Sequence, residues 1–318
     1  MKVARIIYIG GYDRSGSTLL GLMLGELPGV VAVGELRNVW ERGVRDNELC
    51  GCGRPFHECP FWEQVGARGF GGWDAVDLDE VIGLRLAIDR LRRFPGAVAG
   101  AGSRDGRRRR YAEYLRRLYA SVTAVSGADV IVDASKAPVS AYASYATLGL
   151  DLRLLHLVRD SRGVAYSWMR RVQRPEARRS ARYMPRLTPA YTAATWMAWN
   201  SAFHVLTRRG VPTMVVRYED LIHDPRAKLA EIGSTFSVPA DADSLQFISD
   251  HRVTFQPQHL ASGNPMRLSG RDMVLRLDDE WRVRMRDRDR RVVTAITAPL
   301  LTSYGYPLVS PRGASGKA

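Results

Sequence analysis

The stretch with the clearest chemistry is Ile6–Leu24, IIYIGGYDRSGSTLLGLML. An apolar, β-rich run ends at Ile9. The chain turns through Gly10, Gly11, Asp13 and Gly16, and a small, leucine-rich segment follows with the look of a buried helix. A strand, a tight glycine turn and a helix start make a phosphate cradle. The free backbone N–H groups of Ser15, Gly16, Ser17, Thr18 and Leu19 point at one spot, and the helix dipole adds partial positive charge. Gly11, Gly16 and Thr18 fit the nucleotide-binding pattern G-x-x-x-x-G-K-[ST], but Ser17 stands where its lysine belongs. The cation of this turn is Arg14, so nothing in the loop supplies the lysine that reaches the β- and γ-phosphates of ATP.

Further reactive residues follow other apolar runs. Glu35 closes Val30-Val31-Ala32-Val33-Gly34, where a carboxylate is costly unless it has a task or a partner. It reads either as a functional acid of an active site or as a structural acid paired with Arg14 or Arg37. Lys136 follows the strand Asp129–Val132, at the edge where open α/β sheets bind ligands. The alternative there is a capping turn, with Ser135 as cap and Pro138 in the first helical turn. The run Leu152–Val158 leads into Arg159-Asp160, with Ser167 eight residues after the arginine.

These motifs resemble those of sulfotransferases that use 3′-phosphoadenosine 5′-phosphosulfate (PAPS). Arg14-Ser15-Gly16-Ser17-Thr18 is similar to their 5′-phosphosulfate loop, with Arg in the position that the tyrosylprotein and carbohydrate branches also fill with Arg. The resemblance implies that Glu35 is the general base and that Lys136 sits in the active site, although Lys-Ala-Pro replaces that family's Lys-Asp-Pro. It implies that Arg159 and Ser167 hold the 3′-phosphate and that Tyr218, in Tyr218-Glu219-Asp220-Leu221, reaches the adenine. The loop His259–Arg267 resembles the late loop folded over the donor, with Asn264 and Arg267 as its phosphate contacts.

The elements that must carry these residues alternate strand and helix. This predicts an α/β fold with a mostly parallel sheet of about five strands and helices on both faces. The expected organisation is one domain over 1–308, with insertions around 40–125, a loop over 172–189 serving as a lid, and a disordered tail over 309–318. A helix is predicted from Asp77 to Phe94. The arginine run from Arg104 to Arg117 leads into another, anchored by Tyr111, Tyr114, Leu115 and Leu118.

Leu49–Trp62 holds all three cysteines, Cys50, Cys52 and Cys59, with His57 among them. Three thiols and an imidazole are a zinc set, and a disulfide is a second reading. The expectation is instead an insertion packed by Phe56, Phe61 and Trp62, with no metal bound and none required.

The 318 residues are 45% apolar, enough for a sizeable core and not a disordered chain. No apolar run has membrane-helix length, and the first residues carry no signal-peptide pattern, so the expected location is the cytoplasm. The net charge of +14 is compatible with nucleic acid, an anionic membrane surface or a strongly anionic small ligand. The expected function is sulfuryl transfer from PAPS to a hydroxyl of a small-molecule, sugar or lipid acceptor. The alternatives are a P-loop kinase or ATPase, with Thr18 and Asp133 on magnesium, and a basic nucleic-acid-binding protein. The chain shows no specific nucleic-acid motif.

Overall fold

Strand β1 (Arg5–Gly10) explains the architecture. Ile6 and Tyr8 are buried in one core, while Ile7 and Ile9 are buried in another on the opposite face. A strand apolar on both faces belongs inside a parallel sheet covered by helices. In the computed structural model, which describes residues 3–98, 106–174 and 183–309, it occupies that place. Strands β2 (Val30–Gly34), β3 (Val130–Lys136), β4 (Leu152–Val158) and β5 (Thr213–Arg217) join it in one parallel sheet, ordered β2-β3-β1-β4-β5. The predicted fold class is the one the chain adopts.

Helices close both faces. Pro60–Phe70, Gly106–Ser126 and Pro189–Arg208 pack on the side of Ile6 and Tyr8. Helix α1 (Ser17–Leu24), Tyr218–His223 and Pro225–Phe236 pack on the side of Ile7 and Ile9. The arginine-rich helix therefore buries Tyr111, Tyr114, Leu115 and Leu118, as its spacing predicts. The aromatic residues of the 40–125 region share the core cluster that holds Ile6 and Tyr8.

The chain leaves β1 for β2 at one edge, returns through β3, and crosses to β4 on the other side of β1. Such a reversal opens a crevice at the carboxyl ends of the central strands. The ends Gly10, Gly34, Lys136, Val158 and Arg217 therefore meet there, and every candidate site residue before residue 220 forms or follows one of them.

Local details differ from the sequence reading. Strand β3 continues through Asp133, Ala134 and Ser135 to Lys136 instead of turning after Val132. Buried polar groups are tolerated when paired. Asp133 accepts from the Ser135 amide at 2.8 Å and from the Tyr119 hydroxyl at 2.6 Å. Ser135 is thus a strand residue, and the next helix, Pro138–Tyr142, starts after Ala137. The helix expected over Asp77–Phe94 stops at Ile88, and a separate short one covers Phe94–Val98. Residues 175–182 of the expected lid and 310–318 of the expected tail lie outside the described residues. Among the described residues no helix is long and apolar enough to cross a membrane.

Gly11 shows how tightly the turn after β1 is fixed. Its φ is 139°, and a Cβ there would lie 2.2 Å from the Leu157 carbonyl oxygen. Gly11→Ala is expected to cost about 1–3 kcal/mol from backbone strain alone, with the clash adding to it. Urea unfolding should show a lower midpoint at an unchanged slope.

Candidate active site

Eleven of the residues singled out in the sequence line one cleft of about 600 Å³ at the carboxyl edge: Arg14, Gly16, Ser17, Thr18, Leu19, Glu35, Lys136, Arg159, Ser167, Tyr218 and Asn264. Its base is the turn before α1. Gly16 caps that helix in the left-handed region, at φ 95°, and a Cβ on it would lie 2.6 Å from the Tyr218 ring. Arg14 also has a positive φ, 71°, a costly conformation for a residue with a side chain. It aims the guanidinium across the cleft, 5.0 Å over the Trp168 ring and 2.8 Å from the Met184 sulfur. Burial lowers the Arg14 pKa, and Arg170 and Arg159 act in the same direction against Asp13. The buried Arg14 Nε and Ser15 Oγ find no partner among the described residues. An arriving anion would supply acceptors for both.

Glu35 and Lys136 form a buried ion pair on one wall. Lys136, at φ 64°, turns its Nζ onto Glu35 Oε1 and lies 3.2 Å from Asp13 Oδ1. Asn38 donates to the other Glu35 oxygen at 2.7 Å. Burial acts to raise the Glu35 pKa, but Lys136, Arg42 and Arg37 outweigh it and hold the carboxyl at about 2. Burial likewise acts to lower that of Lys136, while Glu35 and Asp13 overcome it and raise it. Both groups are therefore charged at neutral pH. The structural partners considered for Glu35, Arg14 and Arg37, are not the ones it takes. Arg37 pairs with Asp89 at 2.6 Å.

Arg159 stands on the opposite wall. It donates to the Arg14 carbonyl at 3.0 Å and pairs with Asp278 at 3.0 Å, with its guanidinium 4.6 Å over Tyr218. Ser167 lies along the helix Ser161–Met169, whose N-terminus is capped by Asp160. On the late loop, the Asn264 amide donates to Thr18 Oγ1 at 3.1 Å, which joins that loop to the cradle.

Arg267 departs from the expected arrangement. Its guanidinium donates to the carbonyls of Gly263 and Leu49, at 3.0 and 2.9 Å, and lies off the cleft wall. These two bonds tie the late loop to Leu49. His57 also differs: its Nε2 meets the Val44 carbonyl at 2.8 Å, and His259 is the imidazole beside the cysteines. Asp133, the magnesium ligand of the kinase alternative, is 1% exposed and engaged by Tyr119 and Ser135. Arg42, Trp168, Arg170 and Asp278 line the cleft without having been singled out. The nearest signal for the first was its position seven residues after Glu35, and for Trp168 and Arg170 their positions one and three residues after Ser167. Asp278 gave none.

Sheet order, glycine turn and cleft define an α/β protein with a cleft lined by Arg14, Lys136 and Arg159 at the carboxyl edge of its sheet. The chain belongs to the sulfotransferase domain family, whose sequence model matches residues 5–303. Among solved structures it resembles the sulfotransferase domain from the curacin biosynthetic pathway, with 17% identity and a TM-score of 0.54 over 97% of this chain and 100% of that one. It also resembles the sulfotransferase domain of a Synechococcus olefin synthase, with 20% identity and a TM-score of 0.47 over 97% and 98%. A sulfotransferase from Mycobacterium avium has 14% identity and a TM-score of 0.48 over 98% and 79%. No match is found among curated proteins.

The depressed Glu35 pKa sets a pH dependence. A carboxyl more acidic when folded contributes stability that is present above its ordinary value of 4.5 and lost as pH falls towards about 2. Glu35→Gln lacks that contribution. Urea unfolding of both proteins across this interval should give a shallower fall in stability for the variant.

Proposed function

We propose that this protein transfers a sulfuryl group from PAPS to a hydroxyl on a small-molecule, sugar or lipid acceptor. The observation that carries the reading is the buried Glu35–Lys136 pair facing the Arg14–Thr18 cradle, with Arg159 on the opposite wall. The two walls divide the work. The amides of Ser15 to Leu19 and the Arg14 guanidinium bind the 5′-phosphosulfate. Arg159 forks onto the 3′-phosphate, Ser167 adds a hydroxyl, and Tyr218 borders the adenine. Asn264 closes the loop over the donor.

In the reaction, the acceptor oxygen bonds to sulfur while the bond between sulfur and the bridging phosphate oxygen breaks. The acceptor proton passes to Glu35, and adenosine 3′,5′-bisphosphate leaves with the electron pair. Arg14 and Lys136 neutralise the charge that grows on the leaving phosphate. This step requires no metal ion, because cationic side chains do that work.

Lys136 also governs the base. While it pairs with Glu35, the carboxylate is ionised but weakly basic. As Lys136 turns to the leaving phosphate, Glu35 loses its main counter-charge. Burial, the largest influence on this carboxyl, then raises its proton affinity. Base strength thus rises as charge develops on the leaving group.

Glu35→Gln should reduce turnover by roughly a hundredfold or more and leave donor affinity nearly unchanged. Loss of donor binding in that variant would make Glu35 a structural partner of the cradle. Adenosine 3′,5′-bisphosphate should raise the melting temperature more than ADP does, and Arg159→Ala should abolish most of that difference. Transfer of labelled sulfate from PAPS across phenol, sugar and lipid acceptors would identify the acceptor class. ATP hydrolysis with magnesium, without transfer from PAPS, would overturn the proposal.

A further inference from the structure

The three cysteines converge with a histidine that lies two hundred residues away. Cys50, Cys52, Cys59 and His259 place their ligand atoms within 4.8 Å of one another. Cys59 Sγ is 3.2 Å and Cys50 Sγ 3.9 Å from His259 Nδ1, and Cys52 Sγ is 3.8 Å from Cys59 Sγ. A tetrahedral zinc ion with ordinary bond lengths separates two thiolate sulfurs by about 3.8 Å and a sulfur from a nitrogen by about 3.6 Å. The observed spacings fall around those values. They are far from a disulfide, whose sulfurs lie about 2.05 Å apart, and all three cysteines are free.

The surroundings hold these side chains in place. Cys50 and Cys52 sit on a tight turn: the Gly53 amide donates to the Cys50 carbonyl at 2.9 Å, and Gly53 adopts φ 86°. The His259 ring stacks on Phe61 at 5.0 Å with 7° between planes, and its carbonyl accepts from Trp62 Nε1 at 3.0 Å. Phe56 stacks on Trp62 in turn, at 5.3 Å. Packing explains the aromatic residues. It does not explain three thiols and an imidazole nitrogen turned towards a common centre.

We propose that Cys50, Cys52, Cys59 and His259 bind one zinc ion in a closed, structural site. Four protein ligands leave no open position, so the ion takes no part in sulfuryl transfer. Its role is to join the Leu49–Trp62 insertion to the strand of chain that leads into the cleft. His259 is followed by Leu260, whose carbonyl accepts from Gly51, then by Ala261 and Ser262, which bond to Val33 and Glu35. Asn264 then meets Thr18 of the cradle. The ion thereby fixes the far end of the segment that closes over the anion site.

Elemental analysis of the full chain, purified without chelator, should give about one zinc per chain. A thiol-specific mercurial should release it together with a fall in melting temperature. Cys59→Ser and His259→Ala should lose the metal, and His57→Ala should keep it. If the variants do not fold, the wild-type chain still decides the matter. Exchange with cobalt should produce thiolate-to-cobalt charge-transfer absorption and the visible bands of a tetrahedral ion. Protein that contains only trace zinc and takes up no cobalt would overturn the proposal. So would a Cys52–Cys59 disulfide in the freshly purified chain, or loss of zinc in His57→Ala with retention in His259→Ala.

Discussion

The site is organised around a charge pair that the fold keeps nearly dry. Glu35 and Lys136 lie at the ends of β2 and β3, which are adjacent in the sheet, and both are less than a tenth exposed. Either charge alone would carry a large desolvation cost, whereas together they are stable enough to stay ionised. The arrangement requires β3 to run to its last residue without turning. It also needs Asp133 to be satisfied by Tyr119 and Ser135, and the insertion helices to cover that face. The tyrosine comes from the Gly106–Ser126 helix, so an element remote from the cleft in sequence helps to hold its floor.

Much of this was legible in the chain, for a physical reason. In a parallel α/β sheet the ligand side is always the carboxyl end of the strands. A reactive residue immediately after an apolar run is therefore already placed, as Glu35 and Lys136 were; Arg14 came from the glycine turn and Arg159 and Tyr218 from their resemblance to family motifs, and all five line the cleft. The cradle glycines were legible because backbone geometry restricts those positions: Gly11 and Gly16 both have positive φ and no room for a Cβ.

What sequence could not show was long-range partnership. His57 is five residues from Cys52 and two from Cys59, yet its ring faces Val44; His259 reaches the cysteines because the late loop runs back beside the insertion. The resemblance implied that Arg267 is a phosphate contact, but the carbonyls of Gly263 and Leu49 take its guanidinium. Asp278, which no motif marks, holds Arg159. Each case depends on which way a loop side chain points, and neither periodicity nor spacing encodes that.

The grip of Asp278 on Arg159 has a consequence for selectivity. The guanidinium is already occupied by a carboxylate, two carbonyls and an aromatic face. An incoming anion would not fill a vacancy; it would have to compete with an ion pair already formed. A weak or singly charged visitor gains little from that exchange, since it replaces one such partner with another of similar strength. A dianionic phosphate gains more, because it offers greater charge and can accept two donors from the fork. For any anion that entered here, the resident carboxylate would act as a threshold, since the ligand would have to carry more charge than the protein's own side chain to displace it.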